Sequence, residues 1–179
     1  MLAAAGISFI VDAASLDETP GQGETPAACV ERLAITKARA VLSRHPGDAV
    51  LGADTTVVLD GQMLGKPVDD ADAAEMLRRL SGRAHEVLTG VALVTAEAER
   101  SIVERTTVQM AQLGDDEIAW YVASGEPRDK AGAYAVQGLA SRFIPRLEGS
   151  YSNVVGLPVA AVLLLIRQMG LSGILTRVP

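Results

Sequence analysis

The segment from Ala49 to Pro67 restricts the fold more than any other part of this chain. An apolar run, Ala49-Val50-Leu51, reads as a strand that delivers one acid, Asp54, to a break lined by Gly52, Thr55 and Thr56. Asp60-Gly61 is a favoured two-residue hairpin turn, so the chain must double back there. The return leads to Gly65-Lys66-Pro67, where glycine frees the backbone before the lysine and proline stiffens it after. A lone carboxylate at a strand end and a lysine on a rigid loop point to a site for a metal-bound phosphate.

Composition sets the frame around that hairpin. At 179 residues, one domain covering 1–179 is the expectation. The chain is 49% hydrophobic and 21% charged, which argues against disorder, and its 3% aromatic content demands a core of Ala, Val and Leu. A net charge of −6 disfavours broad nucleic-acid binding but not a small anion, because a few local lysines can reverse the field. Cys29 is the sole cysteine, so an intrachain disulfide or cysteine zinc cluster is ruled out, and His45 and His85 are too few for a histidine-rich metal site. Met1 to Phe9 lacks the pattern of a signal peptide, and the apolar run Val159 to Ile166 is too short to span a bilayer. A cytoplasmic protein with no membrane partner is the resulting expectation.

The elements alternate. Met1 to Gly6 reads as the end of a helix, Ser8 to Val11 as a strand, and Asp12 to Thr25 as a polar loop carrying Asp17, Glu18 and Glu24. Thr25 and Pro26 start a helix that runs to about Arg44, with Val30, Leu33, Ala34, Ala38, Val41 and Leu42 as its apolar stripe. Asp69 or Asp70 caps a second helix that ends at Gly82. Two strands come next, Glu86 to Thr95 and Ile102 to Met110, then a short helix over Gly114 to Ser124. Short strands and turns fill Gly132 to Gly156, and Pro158 opens a last helix with Val159, Val162, Leu163 and Ile166 inward. The pattern is that of one mixed α/β domain.

Several residues can carry chemistry, each with a plainer alternative. Asp54 either holds a divalent cation or handles an attacking water, or it is a turn aspartate bonding its own backbone. Lys37 falls inside an apolar stripe, so either its stem packs while its ammonium reaches water, or it binds a ligand. Lys66 is either a point charge for phosphate oxygens or a surface lysine. In the run Gly125-Glu126-Pro127-Arg128-Asp129-Lys130-Ala131-Gly132-Ala133-Tyr134-Ala135-Val136-Gln137-Gly138, Lys130 is followed closely by a glycine. Gln137 offers the donor and acceptor that suit a nucleobase edge, or it is an ordinary turn residue. Tyr151 and Asn153 could line the same region, whereas Cys29 and His85 read as packing residues.

Taken in order, these segments resemble the Maf family of nucleoside triphosphate pyrophosphatases. The matching stretches are Leu33-Ala34…Lys37-Ala38, Gly52-Ala53-Asp54-Thr55, Leu64-Gly65-Lys66-Pro67 and Met76-Leu77…Leu80-Ser81-Gly82…His85. They continue through Ser124-Gly125-Glu126-Pro127, Asp129-Lys130-Ala131-Gly132-Ala133-Tyr134, Gln137-Gly138 and Val154-Val155-Gly156-Leu157-Pro158. The resemblance implies an α/β fold of the Maf/ITPase type, a twisted mixed sheet flanked by helices with a central nucleotide cleft. It implies hydrolysis of the α–β phosphoanhydride with Mg²⁺ or Mn²⁺, a nucleoside triphosphate as partner, and allows a homodimer. Asp54 would be the proton acceptor and, with Glu18, a metal ligand. Lys37, Lys66 and Lys130 would surround the triphosphate, and Thr55 and Gln137 would govern base choice. The combination of Asp54-Thr55 with Tyr134…Gln137-Gly138 resembles the dTTP/UTP-preferring type rather than the 7-methyl-GTP type.

The resemblance also implies a leading strand and a Ser-x-Ser-Pro-Arg-Arg loop ahead of the position where this sequence starts. The expectation is a mis-called start, or else a short chain acting as a nucleotide-binding regulator of cell division and septum formation.

Overall fold

Two side chains set the start of the first long helix. The Thr25 hydroxyl accepts the Ala28 N–H at 3.3 Å, and Pro26 occupies the first helical position, so α1 spans Pro26–Leu42. This computed structural model describes residues 1–175. The apolar stripe of α1 faces inward, with Val30, Leu33, Ala34 and Ala38 buried and Cys29 beside them. Ahead of α1 lie a single 3₁₀ turn at Ala3–Ala5, stopped by Gly6 in the left-handed region, and an irregular stretch to Thr25. The strand expected over Ser8 to Val11 does not form, and Phe9, Ile10 and Val11 are exposed.

The hairpin forms as its turn residues require. Strand β1 (Val50–Leu59) and β2 (Gln62–Leu64) pair antiparallel with Leu59 opposite Gln62. Asp60 and Gly61 both have positive φ, 52° and 78°, which is the backbone of a two-residue turn matched to strand twist. Asp54 lies within β1, not at a break after it, because the strand continues through the threonines to Leu59.

Helix α2 (Asp70–Leu80) is capped by Asp69, whose carboxylate accepts the Asp72 N–H at 2.8 Å. Strands β3 (Ala84–Val94) and β4 (Glu99–Gln109) come next, then α3 (Asp115–Ala123). Between Gly132 and Gly156 only Arg146–Glu148 (β5) is a strand; the rest is 3₁₀ turns and a short helix α4 (Tyr151–Val155). Helix α5 covers Val159–Gln168 and buries Ala161, Val162, Leu165 and Ile166. The five strands are ordered β2-β1-β3-β4-β5. The α/β class holds, with an open antiparallel sheet where a mixed sheet was expected.

The chain divides into two compact units. Among the described residues, the first comprises Met1–Asp54, Thr89–Glu104 and 156–175; the second comprises Thr55–Leu88 and Arg105–Val155. In the first, Ala34 and Ala38 pack on Ala92 and Val94, while Leu2, Ile7, Val91, Leu93, Val162, Leu165 and Ile166 form a separate cluster. The second is bulkier, built on Leu59, Leu77, Leu80, Met110, Tyr121, Tyr134 and Phe143. Rings meet edge-on there, with Tyr121 and Phe143 centroids 5.9 Å apart.

Candidate functional site

In the first unit, glycine decides how near a helix can come to a strand. A β-carbon on Gly52 would lie 2.2 Å from the Ala34 carbonyl oxygen and 2.9 Å from the Ala38 nitrogen. One on Gly90 would lie 2.2 Å from the Val30 carbonyl oxygen. With hydrogen at both places, α1 rests its backbone against the strands. Lys37 is carried on that same helix, and Asp54 is two residues beyond Gly52 on β1.

The consequence is a salt bridge of 2.6 Å between Lys37 Nζ and Asp54 Oδ1. The same ammonium sits 2.6 Å from Glu18 Oε1. Lys37, Asp54 and Glu18 side chains are 21%, 13% and 50% exposed, so the lysine and Asp54 are shielded while Glu18 reaches them from solvent. Burial alone would lower the Lys37 pKa, but its hydrogen bonds to Asp54 and Glu18 outweigh this and hold it above the usual lysine value. A small open pocket of about 160 Å³ adjoins Lys37, lined by Asp12, Ala14, Val41, Leu51, Gly52 and Ala53 as well.

Neighbouring ion pairs hold the loop before α1 to the helix. Glu24 takes Arg32 in a two-pronged contact, Oε1 to Nε at 2.6 Å and Oε2 to Nη2 at 2.7 Å. That guanidinium, with the Gly21 N–H, pulls the Glu24 pKa down to about 2. Asp12 bonds Arg44 and His45. Glu18 is therefore presented to Lys37 by a loop anchored on both sides.

The second unit holds Thr55, Lys66, Lys130 and Gln137. Thr55 is half-buried on β1, Lys66 is exposed and Lys130 half-buried. The Gly132 N–H donates to the Gly65 carbonyl at 3.0 Å, stitching the loop of Lys66 to the segment of Lys130. Gly132 itself has φ 67°, and a β-carbon on it would meet Val57 at 2.8 Å, so glycine is required there for both conformation and space. Ala133 comes next with φ 59°, a left-handed conformation that alanine adopts at a cost of about 1–2 kcal/mol.

Gln137 is exposed, and among the described residues its amide is not engaged. Two residues to which the sequence assigns no role surround it. Glu126 accepts hydrogen bonds from Tyr121 Oη, Leu139 N–H and Ala140 N–H, and Tyr121 Oη accepts one from Ala135 N–H. The sequence signal for Glu126 is the Gly125-Glu126-Pro127 turn just after a helix, which reveals an acid but not its partners. His85 and Asn153 prove to be internal ties. His85 Nε2 bonds Tyr134 Oη at 2.7 Å, and burial lowers its pKa to about 4. Asn153 Nδ2 donates to Val87 O and Thr106 Oγ1. Tyr151 is exposed, and Cys29 is buried with its thiol pKa raised by burial.

Donor chemistry bears on the expected cation. Among the described residues no group of three or more His, Cys, Asp or Glu side chains is placed to share one ion. Asp54 and Glu18, however, already converge on a single positive charge, and paired carboxylate oxygens suit Mg²⁺ or Mn²⁺ when substrate and water complete the shell. The residues present fit such an ion.

The arrangement is that of a Maf-type fold carrying a lysine bridged by two carboxylates. The chain belongs to the Maf-like protein family, whose model matches residues 1–169. A dTTP/UTP pyrophosphatase of Symbiobacterium thermophilum is 52% identical over 170 residues, covering 95% of this chain and 88% of that protein. One from Myxococcus xanthus is 52% identical over 171 residues, with 96% and 87% covered. A third, from Hahella chejuensis, is 50% identical over 175 residues, with 96% and 87% covered. No helix among the described residues is long and apolar enough to cross a membrane.

Proposed function

We propose that this chain is a nucleoside triphosphate pyrophosphatase that converts dTTP or UTP and water into the nucleoside monophosphate and pyrophosphate. The observation that carries the reading is the Lys37 ammonium held at 2.6 Å from both Asp54 and Glu18, in a chain half identical to proteins named for that activity.

Asp54 takes the proton of the attacking water. Water oxygen bonds the α-phosphorus, the bond from that phosphorus to the α–β bridging oxygen breaks, and pyrophosphate leaves with the electron pair. A carboxylate suits this role because it accepts hydrogen bonds only when ionised and can align the water before taking its proton. Lys37 is protonated while it pairs with Asp54 and Glu18, which hold its pKa above the usual lysine value. An incoming triphosphate competes with Glu18 and Asp54 for that ammonium, so the lysine exchanges one set of anionic oxygens for another. Asp54 and Glu18 would hold a divalent cation, which when bound supplies Lewis-acid stabilisation of negative phosphate oxygens. Lys66 and Lys130 act as further point charges on phosphate, and Thr55 and Gln137 read the pyrimidine.

The direct experiment measures pyrophosphate release from dTTP and UTP with Mg²⁺ or Mn²⁺. Asp54→Asn keeps the shape but removes the proton acceptor, and turnover should fall about 10³-fold with nucleotide binding retained. Undiminished turnover would remove Asp54 from the chemistry. Nucleotide-dependent stabilisation of the unsubstituted chain with no pyrophosphate released would favour a binding protein instead.

A further inference from the structure

The Glu126 carboxylate meets three donors: Tyr121 Oη at 2.8 Å and Ala140 N–H at 3.2 Å on Oε1, and Leu139 N–H at 2.8 Å on Oε2. Tyr121 in turn uses its oxygen to accept the Ala135 N–H at 3.1 Å. The segment 135–140 is thereby gripped at both ends by one acid and one phenol. Gln137 stands at the middle of the gripped segment and is its exposed polar side chain.

The backbone inside the grip is itself folded tightly. Gly138 N–H donates to Ala135 O at 3.0 Å, and Ser141 N–H donates to Gly138 O at 3.1 Å. A β-carbon on Gly138 would come within 2.1 Å of the Glu126 carboxylate, so only glycine lets the acid in. Tyr121 is fully buried and packs edge-on against Phe143, which makes it a fixed anchor and not a surface contact.

We infer that Glu126 is a positioning residue for nucleobase selection, acting through the clamp that fixes the backbone on either side of Gln137. The inference rests on the base-reading role given to Gln137. An amide that must present its donor and acceptor to one base edge needs its Cα and Cβ held to a fraction of an ångström; burial of Ala135, Val136 and Ala140 seats the flanks of Gln137, and the clamp fixes their backbone N–H groups. The three donors aimed at Glu126 require an acceptor-only group, which an ionised carboxylate is and a carboxamide is not. In Glu126→Gln, the NH₂ of the new amide must face at least one N–H or O–H donor, so one end of the clamp opens without any change of side-chain volume.

The test compares kcat/KM for dTTP with that for dGTP, in the full chain and in Glu126→Gln, Gln137→Ala and the double substitution. Thermal unfolding is recorded for each. Glu126→Gln should lower the dTTP-to-dGTP ratio about tenfold, mostly through KM for dTTP. Gln137→Ala should lower it as far or further, and the double substitution no further than Gln137→Ala alone. A Glu126→Gln protein that keeps its ratio while Gln137→Ala loses it overturns the positioning role, because base reading then survives without the clamp. A Gln137→Ala protein with an unchanged ratio overturns the base reading itself, a separate failure. Equal loss for both nucleotides in Glu126→Gln marks a structural role and also overturns the inference. If Glu126→Gln does not fold, Tyr121→Phe, which keeps the ring and removes one donor, carries the same comparison.

Discussion

The two units solve the problem of holding polar groups in opposite ways. In the first, small residues bring main chains together: Gly52 and Gly90 under α1, with Ala34, Ala38 and Ala92 around them. Full charges then meet charges, as Lys37 meets Asp54 and Glu18. In the second, larger side chains fill the core, its buried polar side chains are neutral, and its ion pairs, such as Arg83 with Asp60 and Arg128 with Asp70, lie at the surface. His85 and Tyr134 are both buried, with burial lowering the histidine pKa to about 4 and raising that of the phenol. Close backbone contact suits a charge cluster that, in the proposed reaction, exchanges partners with substrate, because it fixes Cα positions while leaving side-chain ends adjustable. Bulky packing with backbone hydrogen bonds suits a segment that must not move.

The contrast can be broken most forcefully at Gly52. Gly52→Ala puts a methyl group against the α1 backbone, which cannot yield as a side chain would. It should cost about 3 kcal/mol or more in urea unfolding. A loss under about 1 kcal/mol would show that α1 is not seated on β1 at this glycine.

The next effect belongs to the second unit and to pH. His85 binds a proton near pH 6.5 when unfolded but only near about 4 when folded, so the unfolded chain holds more protons between those values. Stability is therefore complete above the upper value and declines as pH falls through the window, by up to about 3 kcal/mol. Glu24, with its pKa pulled to about 2, adds its loss only below the ordinary carboxylate range. Urea melts at several pH values from about 7.5 to about 4.5 should show the decline, and His85→Asn should flatten it. A decline of the same size in His85→Asn would place its source elsewhere.

The smallest effect separates two uses of glycine. Gly61 has φ 78° with no atom near its missing β-carbon, so Gly61→Ala should cost only about 1 kcal/mol of thermal stability. Equal losses at Gly61 and Gly52 would erase the distinction between glycine for conformation and glycine for space.

Much of the fold was legible because it depends on near neighbours in sequence. The Thr25-Pro26 start, the Asp69 cap and the Asp60-Gly61 turn each act over two to four residues, and each formed as expected. Where a reading needed a distant partner it was less secure. Ser8 to Val11 has the composition of a strand but no ladder to join, and Asp54 belongs to a strand whose full length only its β2 and sheet neighbours reveal. For the candidate site, sequence named Asp54, Lys37 and Glu18 but left Lys37 between a snorkelling and a ligand-binding role. Glu126 stood in a motif without a role, since its three donors lie up to 14 residues away.

Sequence by itself determined the family, the helix starts and the hairpin. Those depend on side-chain type and short-range spacing. Only the tertiary structure decided that Lys37 serves two carboxylates at once, and that Glu126 clamps the segment around Gln137. The physical reason is distance. A salt bridge spanning 17 residues of chain exists only if the helix and strand backbones come close enough, and in this protein that closeness is set by the absent β-carbons of Gly52 and Gly90.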